Sequence, residues 1–127
     1  MKLQADRIEG QNAISRHGAE GVVVNGTEYR ESVVVPWRGV VRPWPVASFA
    51  QLSEARFEEL AELAPELVIF GSGARLRFPS PALMRALMSR RIGLETMDTA
   101  AACRTYNVLL AEGRSVVTAL LFETPAT

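Results

Sequence analysis

The chain holds one cysteine and one histidine among 127 residues. With Cys103 alone, no internal disulfide can form, and nothing calls for an oxidising compartment. One His and one Cys do not close a structural zinc shell either. Lysine is nearly missing: Lys2 stands beside thirteen arginines, and fourteen basic residues balance fourteen acidic ones. A formal net charge of zero leaves no global field to draw the protein to nucleic acid or to an anionic membrane. No nucleic-acid-binding module and no aromatic ladder among the arginines offsets that neutrality. No apolar run approaches the ~20 residues that cross a bilayer. The opening MKLQADRIEG has no apolar signal core and is not an Arg- and Ser-rich transit peptide. These absences lead to the expectation of a cytoplasmic protein, without membrane insertion, cofactor or nucleic-acid partner.

What is present is 48% hydrophobic and 22% charged, a composition that folds rather than staying disordered. The length suits one domain over residues 1–127, burying roughly two-thirds of the unfolded surface. Residues 1–35 read as β structure. Ala13–His17 and Gly21–Val24 are short strand candidates. Asn25-Gly26 between Val22-Val23-Val24 and Thr27-Glu28-Tyr29 predicts a two-residue hairpin, because both turn positions favour positive φ. Ser32–Val35 is a further strand, closed by Pro36. Pro36–Pro45 (PWRGVVRPWP) reads as an irregular crossing segment. In it Trp37 and Trp44 serve either as lids on the core edge or as partner anchors.

Phe49–Ala64 has helical spacing, with Phe57, Leu60, Ala61 and Ala64 on one face and Glu58, Glu59 and Glu62 on the other. Pro65 ends it, and Leu67–Phe70 is a buried strand stopped by Gly71. Ser80-Pro81 caps and opens a second helix whose inner face is Leu83, Met84, Leu87 and Met88, with Gly93 as its stop. Leu94–Met97 is the next strand, and Arg75–Phe78 an optional extra one.

Glu95–Val117 organises the rest. Asp98 or Thr99 caps a helix on which Ala102, Cys103, Tyr106, Leu109 and Leu110 share one face. Arg104 and Glu112 lie opposite, Val108 points away from the stripe, and Gly113 supplies the left-handed stop. Ser115–Phe122 then reads as a strand covered on both faces. The spacing Met97-x-Thr99-x-x-Ala102-x-x-Thr105-Tyr106-Asn107-x-Leu109-x-x-Glu112-x-Arg114-x-Val116 resembles the signature of the domain-of-unknown-function 498 family. That family includes the mitochondrial complex I assembly factor three proteins. The resemblance extends upstream through Ile69-Phe70-Gly71-Ser72-Gly73 over nearly the whole chain. It implies a three-layer α/β domain and brings no accepted catalytic residues and no cofactor.

The fold expected is therefore α/β: N-terminal antiparallel hairpins, then a β-α-β-α-β unit in a mixed sheet flanked by about three helices. The hairpins either extend the main sheet or pack as a small second one. Candidate chemistry is thin. Gly71-Ser72-Gly73 after a buried strand invites comparison with a dinucleotide turn, but Leu76 replaces the third glycine and the helix starts late. A tight turn or a small-anion niche remains. Arg75, Arg77, Arg85, Arg90 and Arg91 are uninterrupted by acid, and either pair with a glutamate helix face or form a basic surface. Cys103 and His17 are the one thiol–imidazole combination, which catalysis would need in direct contact. Glu95, Asp98 and Glu112 are potential general acids without a visible partner, and Glu112–Arg114 reads as a structural charge pair.

Tyr106 and Asn107 either bond backbone groups in adjoining loops or wall a pocket near Gly71–Gly73. The leading functional expectation is a non-enzymatic interaction or assembly-type domain, a monomer or weak homo-oligomer with a protein partner. Its surface would lie at Trp37, Trp44, Val108 and the arginines. The alternative is a small-molecule or anion binder, or an unrecognised enzyme, using Gly71, Ser72, Gly73, Arg75, Arg77, Tyr106 and Asn107.

Overall fold

The computed structural model describes residues 10–123. The expectations that fall on residues 1–9, the start of the β region and the absent signal core, lie outside the described residues. The first strands are β1 (Ile14–Gly18), β2 (Gly21–Val24) and β3 (Thr27–Tyr29), followed by β4 (Val33–Pro36) and the two-residue β5 (Arg42–Pro43). Then come α1 (Glu54–Ala61), β6 (Leu67–Gly71), α2 (Arg85–Ser89), β7 (Gly93–Met97), α3 (Thr99–Ala111) and β8 (Val116–Leu120). Strands β1-β2-β3 form a small antiparallel sheet, and the main sheet runs β5-β4-β8-β6-β7. In it β6 pairs parallel with both β7 and β8, while β4 lies antiparallel to β8. Both placements expected of the N-terminal strands are therefore realised. The first three make a second sheet, and β4 extends the main one.

Alternation along the strands divides the core into two layers, because successive side chains point to opposite faces. Val33, Val35, Leu67, Ile69, Val116 and Leu120 pack with α3 and the small sheet. Val34, Val68, Phe70, Val117 and Ala119 pack on the other side with Phe57 and Leu60 of α1 and Leu87 of α2. The central strand β8 is buried throughout, as its unbroken apolar run requires. The Asn25-Gly26 turn has φ of 52° and 86°, the double positive value that a tight hairpin needs.

Several boundaries differ from the sequence reading. Phe49–Ala64 is a 3₁₀ turn at Phe49–Gln51 followed by the shorter α1. Ser53 interrupts by capping α1, its hydroxyl accepting from Arg56 N–H. Helix α2 follows a 3₁₀ turn at Pro81–Met84 and stops before Gly93. Arg91 takes the left-handed conformation at φ 58°, while Arg91 N–H bonds Met88 C=O and Ile92 N–H bonds Leu87 C=O. Those two bonds close the helix end, so Gly93 is free to begin β7. Its lack of Cβ matters there because an added carbon would sit 3.1 Å from Leu67 Cδ1. Met88 is exposed rather than inward. Arg75–Phe78 is loop, and Pro36 lies inside β4 opposite Val117. Gly113 does end α3 as expected, at φ 81° with Gly113 N–H on Leu110 C=O and Arg114 N–H on Leu109 C=O.

Candidate functional site at the carboxyl edge of the sheet

The parallel strands β6, β7 and β8 end together, so Gly71-Ser72-Gly73, Asp98-Thr99 and Leu121–Glu123 meet at one edge. Ligand sites in open α/β sheets favour this edge. Ser72 is fully buried. Its hydroxyl reaches Arg75 C=O at 2.7 Å and Met97 C=O at 3.2 Å, and accepts from Arg77 N–H at 3.0 Å. Gly73 N–H donates to Thr99 Oγ1 at 2.8 Å, Thr99 N–H returns to Gly73 C=O, and the Thr99 hydroxyl donates to Leu121 C=O. One threonine thus ties the ends of β6 and β8 to the start of α3. The N–H groups of Ser72 and Gly73, which a phosphate-binding turn would offer, are spent inside the protein.

Arg77 is committed as well. Its guanidinium donates to Ser72 C=O at 2.7 Å and to Glu123 Oε1 at 2.6 Å, and lies over the Phe49 ring with Cζ 4.7 Å from the centroid. Glu123 Oε2 accepts from Phe49 N–H. The Arg77 hydrogen bond, helped by Phe49 N–H, holds the Glu123 carboxyl below the usual glutamate range. Arg75 remains exposed. Arg85 and Arg90 line one groove with Glu54 and Glu58 of α1 and with Glu62 at its C-cap, but among the described residues no ion pair joins them. Arg90 also donates to Ala61 C=O.

Tyr106 and Asn107 sit elsewhere and bond backbone. The Tyr106 hydroxyl meets Asn12 C=O at 2.6 Å and Pro36 C=O at 3.0 Å, and burial raises its pKa well above the ordinary tyrosine value. The Asn107 amide clasps Ile14, accepting from its N–H at 3.1 Å and donating to its C=O at 2.6 Å. The residue that sequence reasoning missed is Asn12. Its Nδ2 donates to Pro36 C=O and Gly39 C=O, and its Oδ1 accepts from Asn25. It is 4% exposed. A polar residue just before a strand gives little sign of such burial; the helical face that carries Tyr106 is the stronger clue.

Cys103 is buried in α3's packed face and its thiol is pushed up to about 12 by burial, so it is a core residue without thiolate character. His17 is on the exposed tip of the β1–β2 hairpin. Arg114 pairs with Glu66 at 3.4 Å and not with Glu112, because the α3 stop turns the chain toward the start of β6. Trp44 is 3% exposed and meets Phe57 and Phe70 edge-on, each at 6.0 Å. Trp37 is half-buried and touches both core layers, whereas Val108 is 57% exposed. Trp44 therefore closes the core, and Trp37 and Val108 are what these candidates leave near the surface.

A cleft of ≈ 500 Å³ opens at the carboxyl edge between the hairpin tip (His17, Gly18, Ala19), Gly73-Ala74, Asp98–Ala100 and Leu121–Glu123. It reaches the glycine turn but is not lined by Arg75, Arg77, Tyr106 or Asn107. Among the described residues no cluster of His, Cys, Asp and Glu is arranged to hold a metal ion, and no helix is long and apolar enough to cross a membrane.

These features define a mixed three-layer α/β protein whose polar groups at the sheet edge are turned inward. The fold is shared with solved structures. A crystal structure of a Bordetella parapertussis protein superposes with a TM-score of 0.86 at 36% identity, covering 92% of this chain and 100% of that one. The solution structure of a Bordetella pertussis protein, described as a Mth938-like domain, gives 0.84 at 31% identity over 99% of this chain and 95% of that one. The chain belongs to the family described as protein of unknown function (DUF498/DUF598), whose profile matches residues 14–121. Its relatives include Bos taurus NADH dehydrogenase (ubiquinone) 1 alpha subcomplex assembly factor 3. That protein is 34% identical over 110 residues, which are 85% of this chain and 59% of the bovine protein.

Proposed function

We propose that this chain is a protein-interaction domain of the assembly type, with no chemistry of its own. The likeness to the bovine assembly factor carries the reading. The site geometry is in keeping with it, since Ser72, Thr99, Arg77, Tyr106 and Asn107 all bond backbone groups of the protein. By that analogy the partner belongs to a respiratory-chain or other membrane-associated complex. The chain acts as one cytoplasmic domain, monomeric or weakly self-associating, and meets its partner through Trp37, Val108 and Arg75. The test is affinity purification from the native host, with and without crosslinking. Repeated enrichment of the subunits of one complex is the expected result. Recovery of abundant background proteins alone overturns the reading.

A further inference from the structure

We infer that β7, at the open edge of the main sheet, pairs antiparallel with β7 of a second copy of this chain, about a two-fold axis at Leu94. The inference does not rest on the assembly role, which stands or falls by the purification experiment. The sheet order β5-β4-β8-β6-β7 leaves β7 bonded on one side only. Gly93 N–H donates to Glu66 C=O and Ser72 N–H to Met97 C=O, in a continuous parallel register from Leu67↔Gly93 to Gly71↔Met97. Gly93, Glu95 and Met97 therefore turn their backbone groups to β6, and Leu94 and Thr96 turn theirs outward. Ile92 C=O points outward too, because it lies trans to the Gly93 N–H that bonds inward. Among the described residues no partner is recorded for these outward groups.

Little in the strand blunts this edge. The opposite edge of the sheet is β5, two residues long and ending in Pro43, and both shortness and proline discourage pairing. Strand β7 has five residues, with no proline, no lysine and no bulge. Its single charge is Glu95, exposed and without an ion pair among the described residues. Arg91, just before the strand, is likewise exposed and outside every ion pair among the described residues.

These two charges choose the occupant and its register. Centring the pair on Glu95 would set two carboxylates directly opposite each other, which is destabilising. Centring it on Leu94 sets Glu95 opposite the second copy's Gly93, which has no side chain to obstruct it. The second copy's Arg91 then lies diagonally beyond, within reach of long side chains. Leu94 N–H meets the other copy's Leu94 C=O, Thr96 N–H meets its Ile92 C=O, and the two-fold axis repeats both bonds. One short stretch thus supplies donors and acceptors and both signs of charge, the self-complementarity that a two-fold interface requires. The pairing is weak, because a five-residue edge buries less than the ~1,200 Å² of stable interfaces.

The test is sedimentation velocity of the full chain from about 10 μM to about 1 mM, alongside ¹⁵N-NMR spectra over the same range. A dimer should form as concentration rises, and the amides of Leu94 and Thr96 should shift most. Thr96→Pro removes an outward N–H that β6 does not use and should abolish the dimer. Glu95→Arg and Arg91→Glu should each weaken it about tenfold, since the axis doubles every lost pair. The two exchanges together should restore it. That charge exchange decides the register whether or not the proline variant folds. A chain that stays monomeric throughout overturns the inference and leaves the assembly role standing. Concentration-dependent shifts centred elsewhere, a dimer indifferent to Glu95→Arg, or a double exchange that fails to restore pairing also overturn it.

Discussion

Removing a single oxygen, in Tyr106→Phe, tests how the small sheet is fastened to the rest of the molecule. The ring stays in place, so packing is conserved. What goes is the hydroxyl that reaches Asn12 C=O at 2.6 Å and Pro36 C=O at 3.0 Å. Pro36 C=O keeps a second donor, Asn12 Nδ2 at 2.9 Å. For Asn12 C=O the tyrosine is the one donor recorded among the described residues. A buried carbonyl left without its donor costs about 1–3 kcal/mol. For a domain of this size that is roughly 3–5 °C of melting temperature per kcal/mol. Urea denaturation should show a lower midpoint with an unchanged slope, because the surface exposed on unfolding is the same.

A pH series adds a second check. Burial raises the Tyr106 pKa from 10.0, so the neutral phenol favours the folded state. That contribution is fully present below pH 10 and is lost as pH rises beyond it, where the unfolded chain ionises first. The phenylalanine variant has no such loss, so the stability gap between the two should narrow above pH 10. A midpoint within experimental error of the parent, or a gap that stays constant into strong alkali, would refute the reasoning.

Other outcomes follow from the same contacts. Asn107→Ala removes both bonds to Ile14; it should cost about 1–3 kcal/mol and speed hydrogen exchange at Ile14 ahead of the main sheet. Gly71→Ala would place a Cβ 3.0 Å from Thr99 Cα and 3.1 Å from both Ala102 Cβ and Leu120 Cδ2. The helix backbone must move, and chemical denaturation should register about 1–3 kcal/mol of lost stability. The Cys103 thiol, raised by burial from 9.0 to about 12, stabilises the fold below pH 9. That stability declines as pH rises from 9 toward the folded value, a pH dependence that Cys103→Ala should flatten. Glu123, lowered chiefly by its bond to Arg77, contributes above the ordinary glutamate range and less as pH falls through its folded value. Glu123→Gln should therefore weaken acid dependence in a pH-melting series.

The hydrophobic periods of α3 and β8, the Asn25-Gly26 hairpin and the Asp98 and Gly113 caps were all readable from local spacing. Each rests on interactions within a few residues or on a one-dimensional pattern. The ends of α1 and α2 were not. Arg91 and Ala64, at φ of 58° and 55°, take conformations that sequence assigns to glycine, because packing and the turns into β7 and β6 hold them there. The Arg77–Glu123 bond joins residues 46 positions apart, and Tyr106 to Asn12 spans 94.

The sequence by itself determined the layers of this protein, since periodicity decides which side chains must leave water. Only the tertiary structure decided the partners of its polar groups, such as Thr99 for Gly73, Glu123 for Arg77 and Asn12 for Tyr106. A hydrogen bond is specified by position in space, and chain spacing carries no measure of that across a folded sheet.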